Sequence, residues 1–398
     1  MNEKKSLKIV FTIISYKPDT NGVELVTSYL AEGLAKKGHK VFVITSSYTN
    51  KTTPNKECIS GVNIIRIPLK TVHTVHKGNK KEYQNLILEV CKDADCLINV
   101  CTQIVTTDWC MPILNKLKCK KILYLHSIID FKWNKMSFSS FKYFISKVWN
   151  TIRWGIYYNF NKSKFKQYDE VTQLHDKDYS YDYFIKKYNI KSKIMENAAE
   201  DYFFITQDTT EFRKPFEKYI INVSNYGEIK NQKLAVEQFL KSDIEKGIGL
   251  VLIGSKKNIY YDETKKLIEN LRIKYNLNND EKPILMLDNI DRRLIPLYVQ
   301  NASIYLLTSK REAFPISLLE AMASKLPFIS TDVGIVKYLC EGKVVNNDDD
   351  IHYWIEKFMQ DEELRKSIGE ASYIYAKNNC KVSDKVNEFE KIIEKERV

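Results

Sequence analysis

Long apolar runs are absent from this chain. No stretch reaches the roughly 18 to 20 consecutive apolar residues that a membrane-spanning helix needs. The N-terminus carries Lys4, Lys5 and Lys8 around an apolar run, Ile9 to Ile14. That run is short, lacks a small-residue cleavage site and leads into Tyr16-Lys17-Pro18-Asp19, so it reads as a first buried strand, not a leader. Paired cysteines are absent too. The eight cysteines, at 58, 91, 96, 101, 110, 119, 340 and 380, contain no CxxC pair and have no histidine cluster beside them. This excludes a zinc site of ordinary spacing and leaves buried, reduced thiols of a cytosolic protein. No segment is of low complexity.

What remains is a chain of 398 residues with 44% hydrophobic content, enough for two domains with packed cores. Its charge is uneven. Residues 1–200 hold 32 Lys and Arg against 18 Asp and Glu, a net +14, while residues 201–398 hold 30 against 32, a net −2. A basic half of that kind meets something anionic: a membrane surface, a nucleic acid or a charged substrate.

Two similar layouts follow one another. The first opens on strand-like residues 7–14, passes Asn21-Gly22, enters a helix from Val23 to about Lys37 and is stopped by Gly38 before a strand at 41–45. Strand, helix, strand in so short a span predicts a parallel sheet. Further strands are expected at 62–67, 96–100, 121–126 and 170–174. The second layout opens at 218–224, with a helix at 231–240, a strand at 249–254, a helix at 261–275, a strand at 284–289, a helix near 292–300 and a strand at 303–309. The boundary is expected near 202–217, and residues from about 350 onward read as helical.

Residues 131–168 stand apart, with eight Lys or Arg, no Asp or Glu, and three of the five tryptophans. Basic residues among aromatics fit an amphipathic element in an anionic membrane interface. They fit equally a helical pair whose aromatics pack inward while its lysines face water. Binding of single-stranded nucleic acid ranks lower, because nothing here resembles an RNA-binding module.

The most informative segment is Ser309 to Gly334. It leaves a buried strand, turns through Lys310 to Phe314 and enters a helix near Pro315, a residue suited to a first helical turn. The amides of Ile316 and Ser317 then point out of a helix N-terminus, a site for phosphate. Glu312 precedes the helix and Glu320 lies within it; carboxylates are the acceptors that a hydroxyl-rich ligand needs. Read alone, Glu320 also fits a helix-dipole partner, Glu312 a solvated loop residue and His126 a structural histidine.

This segment resembles the signature of glycosyltransferase family 4, in which two glutamates separated by seven residues bracket a phosphate-binding turn. Glu312, Phe314, Pro315, Glu320, Ala321, Met322, Ala323, Pro327 and Gly334 fall in place; Leu326 stands where a glycine is usual. Asn21-Gly22 is similar to the family's Gly-Gly pair, with Asn21 as the departure, a residue that tolerates left-handed backbone. His126 matches a histidine facing the donor sugar, Asn197 the asparagine that opens the second domain, Lys230 a diphosphate-binding lysine and Gly254 a glycine beside the nucleotide. An arginine expected on the diphosphate is Asn225 here, a loss that Arg311 would have to offset.

The resemblance implies an α/β protein of the GT-B fold, two facing Rossmann-like domains with parallel sheets and a C-terminal helical segment. The divisions expected are a basic acceptor-side domain at 1–205, a donor-side domain at 206–375 and a helix at 376–398 packing back on the first domain. It implies a retaining transferase that moves a sugar from a nucleoside diphosphate sugar, a UDP-sugar by family frequency, to a glycan or lipid-linked acceptor of the bacterial cell envelope. Catalytic roles fall to Glu312, His126 and Lys230. Donor binding falls to Gly22, Asn21, Asn225, Gly254, Phe314, Pro315, Ile316, Ser317 and Glu320. No metal or cofactor is expected, and Asp93-Ala94-Asp95 reads as a structural turn. No nucleic-acid partner is expected. The expected place is the cytoplasm, with peripheral contact on the inner face of the cell membrane. The alternative is a GT-B partner subunit that binds sugar or nucleotide with little or no catalysis.

Overall fold

A computed structural model describes residues 5–395 apart from 20, 49–52, 73–74, 129–130, 132, 134–137, 139, 209 and 340–341. Lys4, Cys340 and part of the 131–168 stretch lie outside the described residues. The chain forms two compact units, Met1–Glu196 with Lys385–Val398, and Asn197–Asp384. The division at 196/197 precedes the 205/206 boundary read from the sequence.

The strands of the first unit are β1 (Lys8–Thr12), β2 (Lys40–Ser46), β3 (Lys56–Ile59), β4 (Val62–Ile67), β5 (Lys70–Val72), β6 (Val75–Lys77), β7 (Cys96–Val100), β8 (Lys120–Tyr124), β9 (Glu170–Gln173) and β10 (Lys193–Ile194). Its helices are α1 (Gly22–Lys36), α2 (Lys80–Val90), α3 (Val105–Cys110), α4 (Phe141–Phe160), α5 (Lys162–Phe165) and α6 (Tyr179–Tyr188). Eight strands form one sheet in the order β10-β9-β8-β7-β1-β2-β4-β3, parallel except for edge strand β3, and β5 pairs with β6 apart. The central strands are mainly apolar because a parallel sheet is covered on both faces; every residue of β7, Asn99 included, is buried.

The second unit has β11 (Tyr219–Val223), β12 (Gly249–Gly254), β13 (Ile284–Asp288), β14 (Ile304–Leu307), β15 (Phe328–Thr331) and β16 (Lys343–Val345), in the order β13-β12-β11-β14-β15-β16. Register sets Ile221 between Val251 and Tyr305. Its helices are α7 (Gln232–Lys241), α8 (Ile259–Tyr275), α9 (Ile295–Gln300), α10 (Ile316–Ala323), α11 (Ile351–Gln360) and α12 (Glu362–Asn379). The last helix, α13 (Val382–Glu394), begins in this unit and from Lys385 belongs to the first, where Phe389 packs on Phe11 and Tyr124. Buried Glu390 there accepts His39 Nε2 at 2.7 Å and pairs with Lys37 at 2.5 Å.

Strand order fixes where ligands go. In each sheet the connections run outward in both directions from one strand, β1 in the first and β11 in the second. The loops at such a reversal splay apart and leave a crevice at the strands' C-terminal ends. In the first unit the crevice loops include 13–19 and 101–104; in the second they are 224–231 and 308–315.

Among the described residues of 131–168 there is no helical pair. α4 is one 20-residue helix followed by the single turn of α5. Trp154 and Tyr158 on its inner face are buried in the core, while apolar residues on its outer face are exposed.

Candidate functional site

The second unit brings Lys230 and Glu312 together. Lys230 ends the loop after β11 and Glu312 lies in the loop after β14. Lys230 Nζ stands 2.6 Å from Glu312 Oε1, which also accepts Ser309 Oγ at 2.7 Å. The loops are stapled to each other: Lys310 N donates to Ile229 O at 2.7 Å and Thr308 Oγ1 to Asn231 O at 3.0 Å. Buried Gln232 braces the first loop, its Nε2 donating to Ser224 Oγ at 2.8 Å and to Asn225 O at 3.0 Å. Asn225 is exposed on that loop and Arg311 on the other.

The Glu312 loop depends on Gly334. This residue sits at φ +53°, and a Cβ there would lie 2.5 Å from Ala313 O and 2.6 Å from Glu312 O. Gly334→Ala should therefore lose about 1–3 kcal/mol of stability from backbone strain and displace Glu312. Unchanged thermal unfolding of that variant would contradict the packing.

α10 starts at Ile316 with Pro315 in the capping position at φ −74°, one residue before the first-turn place read from the sequence. No side chain caps the helix, so its first amides face outward. Ser317 Oγ bonds Tyr305 OH at 2.7 Å, and buried Asn197 donates Nδ2 to Phe314 O at 2.8 Å. Asn197 thereby ties the start of the unit to the turn before α10.

Glu320 is 1% exposed and both of its oxygens engage Arg292, through Nη1 at 3.1 Å and through Nη2. Arg292 Nη2 also reaches Glu200 Oε2 at 3.1 Å. Burial pulls the Glu320 carboxyl up and Arg292 pulls it down; the net direction is up. Burial would lower the Arg292 guanidinium, but Glu320 outweighs it and the net direction is up. What solvent meets here is therefore the guanidinium. Arg292 and Glu200 were invisible as site residues in the sequence; the one available signal was Asp291-Arg292-Arg293 following a strand end.

Gly254 has a different neighbour from the one read for it. The Tyr226 ring lies over its Cα, so a Cβ would come within 2.3 Å of Cδ2. Tyr226 OH donates to the backbone at Leu252 O, 2.9 Å, or Leu287 O, 2.8 Å.

In the first unit, Asn21 precedes α1 and Gly22 opens it. Asn21 lies at φ −70° and ψ 171°, extended backbone, so the left-handed tolerance invoked for it is not used. Glu24 in the first turn has its carboxyl raised by burial and by Asp19, against hydrogen bonds from Ser15 and Asn21. His126 follows β8, is 9% exposed and stacks at 4.7 Å on Tyr124, with no partner for Nε2 among the described residues.

Burial holds the His126 imidazole at about 4 instead of 6.5. The unfolded chain therefore takes up a proton between those values that the folded protein excludes. This contribution to stability is complete above pH 6.5 and is lost as pH falls towards 4, by about 3 kcal/mol at most. Denaturant unfolding at pH 7 and pH 4 should show wild type losing more than His126→Asn; equal losses would contradict a buried neutral ring.

Two further readings meet the structure. Asp95 Oδ2 accepts Lys8 N at 2.8 Å and Asp93 pairs with Lys8, so this acidic turn closes the start of β1. Cys58 is exposed on β3, unlike the buried Cys91, Cys96, Cys110, Cys119 and Cys380. Burial pushes the Cys101 and Cys110 thiols up to about 12, away from reactivity.

Residues 206–374 match the family described as Glycosyl transferases group 1. Over 235 residues the chain is 27% identical to N-acetyl-alpha-D-glucosaminyl L-malate synthase of Bacillus anthracis, covering 56% of each. The chain thus spans about half the length of the curated relatives it matches. Among solved structures, WaaG, a glycosyltransferase involved in lipopolysaccharide biosynthesis, superposes with a TM-score of 0.69 at 18% identity, covering 98% of this chain and 100% of that one. HepE of Anabaena in complex with UDP and glucose gives 0.67 at 14% identity, covering 97% and 99%. These likenesses show the fold, two Rossmann-like units of the GT-B kind. That family match lies wholly within the second unit.

Proposed function

We propose that this chain is a retaining glycosyltransferase of family 4. It moves a sugar from a nucleoside diphosphate sugar to a glycan or lipid-linked acceptor of the bacterial cell envelope. The observation that carries the reading is the Lys230–Glu312 contact at the switch point of the second sheet, beside the α10 N-terminus. The HepE complex supports UDP as the nucleotide and WaaG supports an envelope product.

In this reading the Lys230 ammonium and the amides of Ile316 and Ser317 receive charge on the departing diphosphate. Lys230 is the cation that has to carry the position where Asn225 offers none. Lys230 and Ser309 both engage Glu312 Oε1, which leaves Oε2 to accept donor-sugar hydroxyls. Glu320, with Arg292 in front of it, presents the ribose site. In the first unit taken by itself, the α1 N-terminus at Gly22 suits an anionic group, and the neutral His126 ring suits a hydroxyl. The acceptor attacks the face that the phosphate leaves, and the leaving oxygen takes the acceptor proton, so no enzymatic nucleophile is needed. The reading includes no metal, since lysine and helix amides supply the positive charge. It places the enzyme at the cytoplasmic face of the membrane.

The test is a nucleotide-release assay across UDP-, GDP- and ADP-sugars, with a cell-envelope lipid extract as acceptor. Release of one nucleotide, dependent on the extract, is expected. Nucleotide binding without release from any donor would favour the non-catalytic partner.

A further inference from the structure

Among the described residues, the outer face of α4 is an unpartnered apolar stripe. Phe141, Ile145, Trp149, Ile152, Ile156 and Phe160 are 49–81% exposed. At 100° per residue they fall within an arc of about 100°, and they run roughly 28 Å along the helix. Contiguous apolar surface of this extent is rare on a protein that meets only water.

The stripe cannot turn inward, because the opposite face is fixed. Trp154 and Tyr158 are buried, Tyr158 OH bonds Thr102 Oγ1 at 2.9 Å, and Tyr157 OH accepts Gln103 N at 3.1 Å. These contacts hold the crevice loop after β7, where Cys101 and Gln103 sit at φ 62° and φ 66°.

We infer that α4 is an interfacial anchor that lays the first unit on a bilayer containing anionic lipid. Charge selects this occupant over a second copy of the chain. Residues 141–168 carry six Lys or Arg and no Asp or Glu. Two such surfaces repel, whereas anionic headgroups complement them. The amphipathic indole of Trp149 suits headgroup depth. Among the described residues no helix is long and apolar enough to cross a membrane, so α4 lies in the interface plane. The inference stands on the helix alone; joined to the transfer reading, it selects a lipid-linked acceptor over a free glycan.

Flotation of the full chain with phosphatidylcholine vesicles, with and without phosphatidylglycerol, tests it. Wild type should float with the anionic vesicles at low salt. Trp149→Glu combined with Ile156→Glu should bind at least about tenfold more weakly, with circular dichroism unchanged because both positions are exposed. Lys162→Gln and Lys166→Gln should each weaken binding by roughly fivefold and flatten its salt dependence. Trp149 fluorescence should be quenched by brominated lipid. Three outcomes overturn the inference: no flotation of wild type at low salt, equal flotation of the glutamate variant, or a dimer in sedimentation equilibrium that the glutamate variant abolishes while vesicles bind nothing. None of these readings uses turnover, so they stand apart from the release assay.

Discussion

Arg292→Ala should lower the stability of the second unit by about 3–5 kcal/mol, because it leaves a buried carboxylate without its partner. Glu320 is 1% exposed, and its two oxygens are taken by one guanidinium. Removing that group leaves the carboxylate neither solvated nor paired. The midpoint of calorimetric unfolding should fall on the order of 10 °C. Its pH dependence has a definite sign. In the variant the folded-state carboxyl is pushed further above its unfolded value, so stability is retained below the unfolded value and lost as pH rises through the folded one. The variant should therefore be closest to wild type in acid. Arg292→Ala with Glu320→Gln should recover much of the loss, since a neutral amide tolerates burial better than a charge. A loss below about 1 kcal/mol would mean the pair behaves as a solvent-screened surface contact.

Lys230→Ala should reduce turnover by about 10²–10³-fold, the effect of removing one preorganised group that faces developing charge. The fold should survive, since the Lys230 side chain is one-third exposed and the ion pair adds little to stability. Lys230→Arg should restore part of the rate. Near-normal turnover in Lys230→Ala, read by steady-state nucleotide release, would remove Lys230 from the diphosphate.

Much of this was legible in the residues. Buried parallel strands are continuous apolar runs, and residues 62–67, 96–100 and 249–254 were read with the bounds the structure has. Edge strand β3, hairpin β5–β6 and β16 escaped because they are short, half-exposed and mixed in polarity. Lys230 and Glu312 were each visible by motif, but not their contact. They are far apart in sequence and meet because β11 pairs with β14, across the reversal of strand order. The pairing of Glu320 with Arg292 and Glu200 was hidden, since an arginine in a polar turn looks like solvent-facing charge until the fold supplies its partner. Gly254 looked like room for a ligand, and Tyr226 fills that room. α4 hid its geometry for another reason. Its inner and outer faces are both apolar, so periodicity could not separate the face that packs on the core from the one left exposed.

The most direct measurement is calorimetric binding of UDP and of uridine to wild type and to Lys230→Ala. If Lys230 holds the diphosphate of the donor, UDP binding weakens by at least about tenfold in the variant, while uridine, which has no phosphate, binds both proteins alike. Equal UDP affinity in the two proteins, or an equal loss for uridine, would contradict a diphosphate site at the Lys230–Glu312 crevice.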